Sequence, residues 1–166
     1  MLRTSMHNKT AVQGLLERTT RKRGSQVRAI VVRNTKKTTL ENNVRKYVLA
    51  GSEVLTDELR SYQGLGDTFV HEVINHALAY ARGHVHTNGL ENFWSLLKRC
   101  IRGTYVSVEP FHLFRYLDEQ AFRFNERKDE DGDRGRFLTA MAGIIGKRLT
   151  WAKLTGEDAD GLPASA

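Results

Sequence analysis

HTNGLENFWSLLKRCIRGT, residues His86–Thr104, is a strongly periodic stretch of this chain. Its apolar residues recur at the spacing of a helix with one buried face, and Gly103 lies where such a helix would end. The apolar face consists of Leu90, Trp94, Leu97 and Ile101. A polar stripe runs beside it and consists of Glu91, Ser95, Lys98 and Arg102. The stretch therefore predicts an amphipathic helix that carries one carboxylate near two cations.

Glu91 has two interpretations in this helix. Asn88 and Glu91 have the spacing of a capping box, in which the Glu91 side chain only satisfies a free backbone N–H at the helix start. Lys98 and Arg102 would then form a solvated face that suits the negative end of the helix dipole. Alternatively, the carboxylate and the cations belong to a functional site. The helix by itself leaves both interpretations open.

Length and composition limit the class of protein. The chain has 166 residues, of which 40% are hydrophobic and 27% charged, enough for one compact domain with a core. No stretch approaches the roughly 20 apolar residues of a membrane span, and the N-terminus lacks the apolar segment of a secretory signal. Cys100 is the single cysteine, which excludes an internal disulfide. We expect a cytoplasmic protein with no membrane partner.

The charge is unevenly distributed along the chain. Residues 1–50 carry twelve Lys and Arg against two acids, a net of +10, whereas residues 51–81 carry one Arg against five acids. Residues 82–108 are again basic, with four cations and one acid. Basic segments on either side of an acidic one suit a polyanion held near carboxylates, and nucleic acid is the favoured partner. A basic protein without such a partner is the alternative.

The remaining pattern predicts an α/β chain in which strands precede most of the helices. The predicted strands cover residues 10–17, 26–33, 53–56 and 68–74, with Gly14 making the first irregular. Besides the helix already described, one helix is predicted to begin with Thr38 or Thr39 as its cap. Two more are predicted over residues 110–125 and 137–149. Residues 128–136 read as a charged loop, residues 1–9 as a disordered start and residues 157–166 as a disordered tail.

Asp57 directly follows the predicted strand 53–56. The carboxyl ends of strands in open α/β sheets are where binding and catalytic groups collect, although Asp57 is also suited to capping the following turn. Asp57 and Glu91 together could hold Mg²⁺ against a phosphodiester, because Mg²⁺ prefers hard oxygen ligands. Zinc is not favoured, since the histidines have no zinc spacing and no cysteine completes a set. His86, just before the helix, is the histidine best placed near a phosphate or a carboxylate.

Three segments resemble the ISXO-like group of DDE-type insertion-sequence transposases. They are His86–Arg102, its continuation GTYVSVEPFHLFRYLDEQAFRFN over Gly103–Asn125, and LTDELRSY over Leu55–Tyr62. The resemblance runs from about Lys9 to Gly156. It implies a ribonuclease-H-like mixed sheet flanked by helices over residues 10–156, which cuts element ends and joins them to target DNA with Mg²⁺ or Mn²⁺.

The resemblance also implies roles for single residues. Asp57 matches the second catalytic and metal-binding acid, and Glu91 matches the third. Lys98 matches a basic residue near the DNA backbone, and Asn88 matches a ligand or positioning group. The expected nucleic-acid-binding set is His86, Asn88, Lys98, Arg99 and Arg102. Subunits of such enzymes are expected to act as a homo-oligomer on DNA.

The chain departs from the family pattern in its first part. Family members carry a first catalytic aspartate on a strand upstream of residues 10–17, whereas no Asp precedes Asp57 here. Leu78 stands where an acid is expected. We therefore expect a truncated domain whose first strand is missing and which is inactive as this chain. The alternatives are a non-catalytic DNA-binding remnant, a transposition inhibitor, or a decayed product with no selected role.

Overall fold

The structure is a computed structural model that describes residues 9–18, 24–74 and 88–155. Its main elements in chain order are β1 (Ala11–Glu17), β2 (Gln26–Val32), α1 (Lys37–Tyr47), β3 (Glu53–Thr56), β4 (Val70–Val73), α2 (Asn88–Gly103), α3 (Leu113–Asn125), α4 (Asp133–Ile144) and α5 (Trp151–Thr155). The chain divides into two units, one up to Asn125 and one from Glu126. The predicted mixture of strands and helices is confirmed, and so is the helix that carries Glu91.

The described strands form two sheets of two strands each. β1 and β2 are antiparallel, with Ala11 paired to Val32 and Glu17 paired to Gln26. β3 and β4 are parallel, with Glu53 paired to Val70. Gly14 was expected to make β1 irregular, and this is wrong: β1 is continuous, and Gly14 pairs with Ala29.

Each face of the β1–β2 sheet packs against different helices. Side chains alternate along a strand, so the residues of one face are every second residue. One face contributes Val12, Leu16, Val27, Ala29 and Val31 to a core with Phe93 and Leu97 of α2 and Leu117 and Phe124 of α3. On the other face, Leu15 packs against a second cluster that contains Val44 of α1 with Leu65 and Phe69. The sheet therefore separates α1 from α2 and α3.

Gly14 is the point at which α2 lies closest to β1. A Cβ atom on Gly14 would lie 2.6 Å from Trp94 Cζ2 and 2.8 Å from Leu90 Cδ1, both closer than van der Waals contact allows. Only glycine leaves room for these two side chains against the strand. The absence of a side chain at residue 14 therefore sets the separation between β1 and the helix that carries Glu91.

Several predicted helix boundaries are wrong. Thr38 and Thr39 do not cap α1, because its cap residue is Lys36, with no side-chain cap hydrogen bond. Asn34 Oδ1 instead accepts hydrogen bonds from Lys36 N and Thr39 Oγ1, at 3.0 and 2.8 Å. The helix predicted from Pro110 begins at Leu113, after a single 3₁₀ turn over Pro110–His112. α4 begins within the expected charged loop, and Gly146, at φ 74°, adopts the left-handed conformation typical of a helix end.

α3 is joined to β2 through the Asn125 side chain. Asn125 Oδ1 accepts a hydrogen bond from Val27 N at 2.7 Å, and Asn125 Nδ2 donates one to Val27 O at 3.0 Å. Gln26 Nε2 donates to Asn125 O at 3.2 Å. The amide thus supplies the donor and the acceptor that a neighbouring strand would supply, and it occupies this edge of the sheet.

Replacing Asn125 with alanine should lower the free energy of unfolding by about 1–3 kcal/mol, because the Val27 N–H and C=O would lose their partners. Urea denaturation measures this loss. Asn42→Ala is the matched control, since Asn42 is exposed on α1 and its truncation should change stability by no more than about 0.5 kcal/mol. Equal effects of the two substitutions would contradict the prediction.

Candidate active site

Asp57 lies at the carboxyl end of β3, as the sequence predicted. Its side chain is exposed, and Oδ1 accepts a hydrogen bond from Leu59 N at 3.2 Å. The bond closes a short turn around the residue, so the alternative role in local turn formation is also present. It does not cap the next 3₁₀ turn, Arg60–Tyr62, whose cap residue is Leu59.

Glu91 lies in the first turn of α2, and its side chain is exposed. The Asn88 side chain, the other half of the expected capping box, lies outside the described residues. So does His86, which the sequence placed just before the helix, and so does Leu78. The roles expected of these three residues therefore remain predictions.

A cavity of about 230 Å³ lies beside Asp57 and is also lined by Leu90 and Trp94 of α2. Its lining comes from β1, the end of β2, α1, the segment after β3, and α2. The lining residues are Val12, Gln13, Gly14, Val32, Thr35, Leu40, Asp57, Leu59, Tyr62, Leu90 and Trp94. Leu90 directly precedes Glu91. The fold therefore brings Asp57 and the first turns of α2 to the same cavity.

Three hydrogen bonds anchor the segment after Asp57 to β1, to α1 and to the connection between β2 and α1. Ser61 Oγ donates a hydrogen bond to Thr35 O at 2.7 Å. Gln13 Nε2 donates to Tyr62 Oη at 3.4 Å, and Gly64 N donates to Glu41 Oε1 at 2.6 Å. These contacts hold Asp57 at one end of a fixed segment rather than in a free loop.

Gln13 is a buried polar residue of this anchor, with 4% of its surface exposed. Its amide nitrogen also donates to Leu40 O at 3.1 Å, and its carbonyl oxygen accepts from Asn43 Nδ2 at 2.9 Å. Burial raises the pKa of the Tyr62 hydroxyl, while the hydrogen bond from Gln13 lowers it. Sequence analysis missed Gln13, although a polar residue between Val12 and Gly14 in a buried strand was a usable signal.

Glu41 is the second buried polar residue of the anchor, at 5% exposure. Arg45 Nη1 donates to Glu41 Oε2 at 3.1 Å, and Arg45 Nη2 donates to Asp67 Oδ1 at 2.9 Å. The hydrogen bonds to Asp67 and Glu41 raise the pKa of Arg45, and the same guanidinium lowers the pKa of Asp67. The sequence did not indicate Glu41 as part of this anchor, because Gly64, the partner that joins it to the Asp57 segment, lies 23 residues away.

The cations predicted to bind nucleic acid lie along α2. Lys98, Arg99 and Arg102 are exposed, and none of them forms an ion pair within 4.0 Å in the described part of the chain. Exposed cations without carboxylate partners remain available to phosphates.

Within residues 9–18, 24–74 and 88–155, no group of three or more His, Cys, Asp or Glu side chains could hold a metal ion. Among the helices described, none is long and apolar enough to cross a membrane.

Comparison with known proteins identifies the family. The family model described as the ISXO2-like transposase domain matches residues 2–125. A protein of Haemophilus influenzae described as an uncharacterized transposase-like protein is 37% identical over 101 residues, which cover 60% of this chain and 81% of that relative. No solved structure matches the chain. The family model covers more than half of the sequence, and the chain therefore belongs to the ISXO2-like transposase domain family.

Proposed function

We propose that this chain is the catalytic domain of a DDE-type transposase, which cuts the ends of an insertion sequence and joins them to target DNA. The observation that carries the proposal is the cavity that Asp57 lines together with Leu90 and Trp94 of α2. Because Leu90 and Trp94 line the same cavity as Asp57, the first turns of α2, which carry Glu91, lie on the side of the fold that holds Asp57. Membership of the transposase family supports the same conclusion.

The donor set suits Mg²⁺ or Mn²⁺. Asp57 and Glu91 offer exposed carboxylate oxygens, and Mg²⁺ in phosphoryl-transfer sites is commonly held by one or two carboxylates together with water and substrate phosphates. A divalent ion there would polarise the scissile phosphodiester and lower the pKa of an attacking water or 3′-hydroxyl. In this proposal the two carboxylates act as ligands, and neither acts as the nucleophile.

The polar side of α2 would position the DNA. Lys98 follows Glu91 by two helical turns, so the two side chains lie on the same side of the helix. Lys98, Arg99 and Arg102 would contact backbone phosphates, and such contacts fix the register of the DNA without reading its sequence. His86 and Asn88 would complete this contact at the start of the helix.

A single ribonuclease-H-like sheet would need a further strand beside those that the structure describes. β1 and β2 form one sheet and β3 and β4 another, and the cavity lies between β1 and the end of β3. A strand inserted there would join the two pairs into one mixed, ribonuclease-H-like sheet. The resemblance to the family implies a third carboxylate, which such a strand would carry beside Asp57 and Glu91.

Binding of Mn²⁺, followed by electron paramagnetic resonance, tests the proposed ligands. Asp57→Asn and Glu91→Gln should each weaken binding at least about tenfold, the smallest loss typical even of groups that only orient a metal ligand. Glu53→Gln is the matched control, because Glu53 is an exposed acid at the opposite end of β3. That variant should bind Mn²⁺ as the parent chain does.

Unchanged Mn²⁺ binding in both Asp57→Asn and Glu91→Gln would refute the assignment of these carboxylates. If the chain still bound DNA in that case, the non-catalytic DNA-binding alternative would be favoured. A version of the domain that contains the further strand extends the test to chemistry. There, either substitution should abolish metal-dependent strand transfer, while Glu53→Gln should leave it intact.

A further inference from the structure

Two cations lie against the same aromatic ring on the side of the β1–β2 sheet that faces α1. The Arg28 guanidinium carbon is 4.4 Å from the centroid of the Tyr47 ring, and Lys46 Nζ is 5.2 Å from the same centroid. Arg28 and Lys46 are exposed, whereas Tyr47 is half-buried. The ring attracts each cation, but it carries no net charge to offset the repulsion between them.

In the part of the chain that the structure describes, no carboxylate is paired directly with either cation. Neither Arg28 nor Lys46 forms an ion pair within 4.0 Å among the described residues, in contrast to Arg45 and Arg123. The residue paired with Arg28 across the sheet is the apolar Leu15. Asp118 interacts with Arg28 only through its charge: burial raises the pKa of Asp118, and the positive charge of Arg28 lowers it. The pair is therefore a local excess of positive charge.

The pair is separate from the basic side of α2. Arg28 alternates along β2 with Val27 and Ala29, which face the core formed with α2 and α3. Its side chain therefore points to the opposite face of the sheet, where α1 ends at Tyr47. Lys98 and its neighbours lie on α2, on the other side of the same sheet. One phosphate cannot contact both sets of cations.

We propose that Arg28 and Lys46, held on the Tyr47 ring, bind a backbone phosphate of DNA at a second contact outside the candidate active site. The guanidinium would donate paired N–H bonds to the phosphate oxygens, and the ammonium would act as a point charge beside it. The inference rests on the proposed function for its partner, DNA, and adds a site to it.

The salt dependence of DNA binding tests this inference with the full chain and a short duplex of mixed sequence. Each lost phosphate contact reduces the slope of log K against log salt by about 0.9. Because Arg28 and Lys46 share one phosphate, the double variant should reduce the slope by about 0.9, and Arg28→Gln and Lys46→Gln should each reduce it by less. Arg123→Gln is the matched control. It removes the same charge from a cation already paired with Glu119 at 2.8 Å, and its slope should stay that of the parent chain.

Two further variants separate charge from folding. Arg28→Lys keeps the charge and should restore most of the slope, whereas a purely structural role of Arg28 would not be rescued in this way. Lys98→Gln should add its own reduction to that of Arg28→Gln, because the two sites lie on opposite sides of the sheet and share no partner. Thermal unfolding of each variant verifies that it remains folded.

The outcomes are distinct. If the parent chain binds DNA and the double variant keeps the parent slope, the second contact is refuted and the proposed function stands. If the parent chain does not bind DNA even at low salt, both the contact and the proposed DNA partner are refuted. Reduced slopes in Arg28→Gln and Lys46→Gln, with none in Arg123→Gln, would support the contact.

Discussion

Replacing Phe93 with alanine should lower the free energy of unfolding by about 3–5 kcal/mol, the range observed when a fully buried phenylalanine is truncated. Phe93 has no exposed surface and lies at the centre of the core between the β1–β2 sheet and α3. Its ring packs edge-to-face on Trp94, with centroids 5.1 Å apart, and on Phe124, with centroids 5.7 Å apart. Alanine would remove both aromatic contacts and leave a cavity that rigid neighbours cannot fill.

Guanidinium denaturation of the first unit measures this effect. Leu49→Ala supplies the control, because Leu49 is 84% exposed and its truncation should cost no more than about 0.5 kcal/mol. A loss below about 1 kcal/mol for Phe93→Ala would mean that α2 does not pack against the sheet as described. The position described for Glu91, which α2 carries, would then also be wrong.

The helix that carries Glu91 was predictable because its signal is local. Apolar residues at helical spacing predicted α2, and Leu97 is buried as expected. The predicted apolar face nevertheless omitted Phe93, the most deeply buried residue of the helix. Periodicity gives the direction of a face to within about one residue, whereas the centre of the core depends on which side chains Val27, Leu117 and Phe124 bring to it.

The wrong helix boundaries have a different cause. Thr38 and Thr39 are good capping residues, yet the Thr39 hydroxyl donates its hydrogen bond to Asn34 Oδ1. α1 therefore begins before them, at Lys37. α4 begins at Asp133 in a segment whose charges suggested a loop. Charged residues are compatible with an exposed helix as well as with a loop, so composition alone could not separate the two.

The sequence predicted two carboxylates for the candidate site, but it did not indicate the residues that anchor the Asp57 segment. Asp57 and Glu91 stand out because of their positions after a strand and at a helix start. Gln13 and Glu41 act through partners 49 and 23 residues away, Tyr62 and Gly64. Such contacts exist only once the chain is folded, and no local spacing indicates them.

Gly14→Val should lower the free energy of unfolding by about 2–3 kcal/mol, near the upper end of the usual cost of overpacking. The first added carbon would already overlap Trp94 and Leu90, at 2.6 and 2.8 Å. The Trp94 ring cannot move away freely, because it packs edge-to-face on the buried Phe93. The strain should therefore displace α2 as a whole from β1. Thermal and urea denaturation would both record the loss.

Gly66→Val distinguishes this effect from the general cost of replacing a glycine. A Cβ on Gly66 would meet no atom within 4 Å, so its substitution should change stability by no more than about 0.5 kcal/mol. The two variants should also differ in Mn²⁺ binding. Leu90 and Trp94 border the same cavity as Asp57. A valine that pushes them off β1 should therefore move Glu91 away from Asp57 and weaken the binding of Mn²⁺. A Gly14→Val protein that is destabilised but binds Mn²⁺ normally would show that the two carboxylates do not share one ion.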